Sequence, residues 1–228
     1  MNIFFLDRNI DNCAEAHIDK HVGKLILEHA QMLSDAIWVD KVIGFVPRKL
    51  EIEEYRKIKE ASLNNDPKKT GVYKPFSPNH PCSIWVRSSY ENWEYLWVLS
   101  SAMNEELMWR GFKSHKSWDL IKNMPLPNNM ESRGFTEPAL AMPDEYKSDD
   151  AVESYRKYYL NDKARFATWT NREPPSWWWK NPASAKNYRE AIEVTKRTSK
   201  PELQNAFQKQ AQEILIKSRN VDSPPWKV

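Results

Sequence analysis

The run His17-Ile-Asp-Lys20-His21-Val-Gly-Lys24, followed by Glu28, gathers the residue types that acid–base and amine chemistry use. On one continuous helix, positions 17, 21, 24 and 28 stack along a single side at steps of four, three and four. Two imidazoles, an amine and a carboxylate would then share a ridge beside the buried stripe, where partial desolvation shifts proton affinity. A half-buried lysine gives up its proton more readily and can attack carbon or form a Schiff base. A neighbouring glutamate or histidine can move protons at neutral pH. His17, His21, Lys24 and Glu28 are therefore the candidate catalytic residues. The same pattern also fits a solvated face of Glu–Lys pairs with one packed histidine. His17 and His21 have the i,i+4 spacing of a two-histidine metal pair, although the Glu of HExxH is missing. No cofactor is called for. A divalent metal would sit on these two, with Asp35, His80 or His115 closing the site.

Two further groups carry polar chemistry. Asn79-His80-Pro-Cys82, followed by Arg87 and Glu91, puts an imidazole at a helix start and a guanidinium on its approximate side. A helix start favours anions, so His80 and Arg87 read as a phosphate contact, or else as a cap and an intrahelical Arg–Glu pair. Downstream, Tyr155, Tyr158, Tyr159, Lys163, Arg165, Trp169 and Arg172 lead into Trp177-Trp178-Trp179. Interleaved rings and cations are what a base-stacking, phosphate-neutralising surface uses. Lys163, Arg172 and the three tryptophans are the candidate nucleic-acid contacts. Three adjacent tryptophans cannot all face one core, so at least one is expected at the surface or in a site.

The elements that must hold these residues are helices. Residues 2–6 (NIFFL) form a short strand or extended lead-in, and Asn12 with Glu15 predicts a capping box for a helix to about residue 39. Its apolar stripe is Ile18, Val22, Leu25, His29, Leu33 and Ile37. Gly23 weakens that helix unless a neighbour packs close. Residues 47–60 predict a charged amphipathic helix, 62–81 a Pro-rich loop, and Pro81 the first turn of a helix to about residue 110, with Gly111 as its stop. A long ordered loop spans 122–148; helices follow from Asp149 or Asp150 to about residue 168, then over 183–197 and 200–219. The whole, residues 1–228, reads as one mainly α domain with long Pro-rich loops.

Composition narrows the function classes. The chain has 5 glycines and neither GxGxxG nor GxxxxGK[ST], which removes the usual phosphate-cradling loops. Its net charge of +3 is compatible with nucleic acid but far from that of a strongly cationic DNA coater. Two cysteines outside any CxxC pair suit a reducing compartment and exclude a cysteine-rich zinc module. No run approaches the roughly 20 apolar residues of a membrane span, and the start lacks a signal peptide's basic flank. The expected location is the cytoplasm.

The pattern FFLD, DKHVGK, LEHAQML, NHPCSIWVRSS, FTEPALAMPDEYK, and YRKYY with FATWTNREPPSWW resembles a widespread family of small tailed-phage proteins over nearly the whole chain. That resemblance implies a phage origin and a role inside the infected cell. The first long helix and SYENWEYLWVLSSAMNEELMWRGF (89–112) are also similar to pyrimidine-dimer DNA glycosylases of the endonuclease V type, which are all-α. In those enzymes the N-terminal amine attacks the sugar and a glutamate on the first helix assists, which points to Glu28 here. The chain opens Met1-Asn2 within its apolar lead-in, so the resemblance implies that Lys20 or Lys24 supplies the amine. The expected function is an enzyme acting on nucleic-acid bases or nucleotides, most concretely a DNA glycosylase/lyase. Its alternatives are a metal-dependent phosphohydrolase or base-modifying transferase, and a non-catalytic effector binding a host protein or nucleotide.

Overall fold

The computed structural model describes residues 1–180, which are helical with no strand among them. They fall into two compact units, one covering Met1–Tyr158 and the other beginning at Tyr159. The first contains α1 (Ile10–Ala16), α2 (Asp19–Val42), α3 (Ile52–Ala61), α4 (Pro67–Thr70), α5 (Pro81–Val86), α6 (Tyr90–Trp109), α7 (Lys116–Ile121) and α8 (Ala151–Tyr158). The second has a π-helical turn, Tyr159–Lys163, and 3-10 turns at Ala164–Phe166 and Ser176–Lys180. Helices expected over 183–197 and 200–219 lie outside the described residues. Among the described residues no helix is long and apolar enough to cross a membrane.

Two helices that the spacing predicts as continuous are broken, each by a side chain competing for the backbone. The first starts earlier than expected: Asn9, not Asn12, is the cap, its side chain accepting the Asn12 N–H at 3.0 Å. It then stops at His17. In an unbroken helix the Cys13 carbonyl would accept the His17 N–H; here it meets His17 Nδ1 at 2.6 Å, and the His17 backbone is extended. Ile18 restarts the ladder as its carbonyl accepts from His21 and Val22. The second break is at Arg87–Ser89. Ser89 Oγ caps α6 by accepting the Asn92 N–H at 3.2 Å, which divides α5 from α6.

The long α2 and α6 pack on one another, with α1 against α6 and with α5 and α7 against α2. Leu25, Ile26, Met32 and Leu33 of α2, and Leu96, Leu99 and Met103 of α6, have no exposed surface. Each such side chain contributes roughly 1.5–3 kcal/mol through burial. A β-carbon added at Gly23 would meet Leu107 Cδ1 at 3.8 Å, ordinary contact, so close helix packing does not demand that glycine. Gly111 stops α6 as expected: at φ +90° its N–H reaches the Met108 carbonyl and the Phe112 N–H reaches that of Leu107, a Schellman motif.

Carboxylates, two of them buried, rather than strands, secure the long loops. Asp35 accepts the Phe76 N–H at 2.8 Å, the Ser77 N–H at 3.2 Å and the Ser83 hydroxyl at 3.0 Å. Asp40 accepts the N–H groups of Asn128 and Asn129 at 2.8 and 2.9 Å. On α6, Glu91 accepts from Arg133, Gly134 and Ser132. The segment 122–143 is thus irregular but tied down, as its prolines predict. The lead-in 2–6 is extended without strand pairing.

Candidate functional site

Glu28 is the centre around which polar groups of the first unit gather. Its carboxylate is 14% exposed and accepts the Asn2 backbone N–H at 3.0 Å on Oε2. Lys24 Nζ lies 3.1 Å from Oε1, and the amine of Met1 lies 3.9 Å from Oε2. One acid therefore holds two amines, of which Lys24 is well exposed while Met1 is buried over its side chain. His80 is nearby in electrostatic terms. Burial lowers its pKa first, the Met1 amine lowers it further, and Glu28 opposes both. Beneath, burial pushes the Cys82 thiol up to about 12, and the Tyr155 hydroxyl donates to the Ala139 carbonyl at 2.6 Å. Asn2 Nδ2 donates to the Ala141 carbonyl at 2.9 Å, so the segment 139–141 is tied both to the lead-in and to Tyr155.

The predicted ridge is half right. Lys24 and Glu28 meet as drawn from the i,i+4 spacing. His21 is on the same helix but buried, stacked on Phe4 with centroids 4.6 Å apart at 28°. His17 is not on the ridge at all, because it precedes α2, faces the core and has no exposed surface. The break also undoes the i,i+4 metal pair, which needs both histidines on one helix. Among the described residues no group of three or more His, Cys, Asp or Glu is placed to hold a metal. Lys20 is exposed on the first turn of α2.

The predicted phosphate contacts are redistributed as well. His80 is the cap of a six-residue helix, its Nδ1 accepting the Cys82 N–H at 3.2 Å. Arg87 is 1% exposed and donates to the carbonyls of Val46, Pro78 and Arg48. A buried guanidinium spent on three backbone carbonyls is a clamp, and the phosphate assignment of Arg87 is corrected accordingly. In the second unit Lys163 pairs with Asp162, and Arg172 is half-buried. Trp177 and Trp178 are core rings there: Trp177 packs edge-on against Tyr159, and Trp178 meets Trp169 at 4.9 Å and 70°. That burial removes both from base stacking. Trp179 is the half-exposed ring that the run of three predicts.

Nothing in an apolar lead-in signals that the Met1 amine and Asn2 lie against Glu28, so the amine was expected from Lys20 or Lys24, and the spacing shows His29 only as a member of the apolar stripe. His29 is wholly buried, with Nδ1 3.1 Å from Ser100 Oγ, and the Ser100 hydroxyl donates to the Leu96 carbonyl. The hydroxyl's proton being committed, His29 Nδ1 carries the hydrogen. Burial lowers the pKa of His29 to about 3 and that of His17 to about 4. Both lie below the ordinary value of about 6.5, so the unfolded chain takes up protons first as pH falls. Their stabilising contribution is complete above about pH 6.5 and is lost progressively toward pH 4. Asp35, raised by burial to about 6, acts in the opposite sense between about pH 6 and its ordinary value. Two groups outweigh one, and the expected net loss from pH 7 to pH 5 is about 2 kcal/mol. Calorimetry across that range checks it. The His29→Gln variant should show a flatter decline, and a slope equal to wild type would refute the assignment.

No family model matches the chain, and neither a curated protein nor a solved structure matches it.

Proposed function

We propose that this protein is a phage-encoded enzyme acting on nucleic-acid bases in the infected cell, most concretely a DNA glycosylase/lyase centred on Glu28. The observation that carries this reading is one largely buried carboxylate in contact with two amines, Lys24 at 3.1 Å and Met1 at 3.9 Å. An amine attacks the sugar C1′, the bond from C1′ to the base nitrogen breaks, and its electron pair leaves with the base. Glu28 stabilises the cationic sugar electrostatically and carries the proton from the attacking nitrogen toward the departing base. The C1′–O4′ bond of the amine–sugar adduct then opens, O4′ taking up a proton as the nitrogen lone pair forms the C=N bond, and the resulting imine acidifies the neighbouring C2′–H and promotes loss of the 3′-phosphate. Met1 is buried over its side chain whereas Lys24 is well exposed, so Met1 is the amine better shielded from bulk water, and that favours Met1 over Lys24 as the nucleophile.

The test uses DNA containing an abasic site, whose C1′ aldehyde condenses with an amine and releases water. Borohydride reduces that imine to a secondary amine, leaving a covalent protein–DNA adduct. The wild-type protein is expected to form it. Lys24→Ala should retain it if Met1 attacks and lose it if Lys24 does, and peptide mapping identifies the modified nitrogen. No adduct with abasic or base-damaged DNA overturns this function.

A further inference from the structure

The lead-in is built more expensively than a mere extension of the chain requires. Asn2 is 8% exposed, yet both polar atoms of its side-chain amide are hydrogen-bonded. Oδ1 accepts the Ile3 N–H at 2.9 Å and the Phe4 N–H at 3.4 Å, while Nδ2 donates to the Ala141 carbonyl. Its own backbone N–H is the one that donates to Glu28 Oε2 at 3.0 Å. Two residues on, Phe4 has φ +51°, a left-handed conformation that an aromatic residue seldom adopts. The ring is gripped on both faces, by His21 at 4.6 Å and 28° and by Tyr158 at 5.8 Å and 15°. The Phe4 carbonyl accepts from Cys13 Sγ at 3.6 Å. The Asn2 side chain thus closes a tight local turn over residues 2–4, and the Asn2 bonds to Ala141 and Glu28 hold residues 1 and 2 against α2.

We propose that Asn2 is a positioning residue, whose side chain fixes the separation between the Met1 amine and the Glu28 carboxylate. The inference rests on the function proposed above, since that separation matters only if an amine attacks. Without the amide, the turn at residues 2–4 loses both acceptor bonds and its tie to Ala141. Met1 is then free to swing while Glu28, fixed on α2, stays where it is. A displacement of about 1 Å at an attacking atom is enough to cost on the order of 100-fold in rate.

Two variants test this, both bulky enough at position 2 to leave Met1 in place. Asn2→Leu preserves shape and removes every amide bond; Asn2→Asp keeps the acceptor for Ile3 and Phe4 and removes the donor to Ala141. With abasic DNA and borohydride, Asn2→Leu should form adduct about 10- to 100-fold more slowly at saturating DNA. Asn2→Asp should fall between it and wild type, and the DNA dissociation constant should not move. A second readout needs no DNA: the acylation rate at the Met1 amine relative to Lys24, followed by mass spectrometry at pH 7. That ratio should shift in Asn2→Leu. Wild-type adduct rate and wild-type acylation ratio in a folded Asn2→Leu protein overturn the proposal. If wild type itself traps no DNA while the acylation ratio still shifts, the glycosylase reading falls and the positioning role stands. Should Asn2→Leu fail to fold, the same two readouts on Asn2→Asp decide.

Discussion

Glu28→Gln is expected to slow adduct formation with abasic DNA by about 10²–10⁴-fold, the range spanned by loss of a positioned proton-transfer group. Glutamine has the same shape, and its amide oxygen can still accept the Asn2 N–H that the carboxylate accepts at 3.0 Å. What disappears is the negative charge beside the two amines and the capacity to take a proton from either. The structural cost should be small, because the Lys24 partner is 60% exposed and exposed ion pairs contribute roughly 0–1 kcal/mol. A folded Glu28→Gln protein that traps at the wild-type rate would remove Glu28 from the chemistry. Comparing it with Lys24→Ala separates the acid from the amine, since only one of the amines need be essential.

Arg110→Met should be the most destabilising single change in the first unit, by about 3–5 kcal/mol. The guanidinium is 2% exposed and joins three elements: Nε donates to Glu106 Oε1 at 2.7 Å, Nη1 to Asp19 Oδ1 at 2.8 Å, and Nη2 to the Glu15 carbonyl at 3.1 Å. Methionine replaces the volume of the stem but removes the guanidinium 2.7 Å from Glu106, itself 5% exposed. Leaving a carboxylate buried beside a thioether is the expensive part, so neutralising it should help. Adding Glu106→Gln to Arg110→Met should restore a good part of the loss. Urea unfolding of the three proteins measures it. A loss under about 1 kcal/mol for Arg110→Met would show that the clamp contributes little.

The long helices were legible because α2 and α6 carry long apolar periodicities, and Gly111 terminates α6 where a Schellman stop belongs; the helix expected to about residue 168 ends instead at Tyr158, where a π-helical turn begins. The two helix breaks were not. At His17 the ring takes a carbonyl that the ladder would otherwise use, and at Ser89 a hydroxyl starts a new helix; neither contest changes the hydrophobic period. The Lys24–Glu28 contact was legible because i,i+4 partners on one helix meet by local geometry alone. Met1, Asn2 and His80 were not, since their approach to Glu28 depends on where the irregular lead-in and the start of α5 come to rest. Arg87 misled for a related reason. Its sequence surroundings look like a helix surface, and only the return of the 46–48 and 78 carbonyls makes it interior.

The two acids near the end of α2, Asp35 and Asp40, each receive a pair of consecutive backbone N–H groups from a distant loop. The helix therefore works as a spindle with two hooks five residues apart. Advancing its register by one residue would swing both hooks about 100° and let go of both loops at once. Chain length is correspondingly free between the hooked points and fixed at them. An added residue at 64–66 leaves both attachments intact, whereas one between 76 and 77 or between 128 and 129 separates donors that must arrive side by side. In a chain with no sheet among its described residues, these two carboxylates do the job that strand pairing does elsewhere: they give the irregular segments a single address.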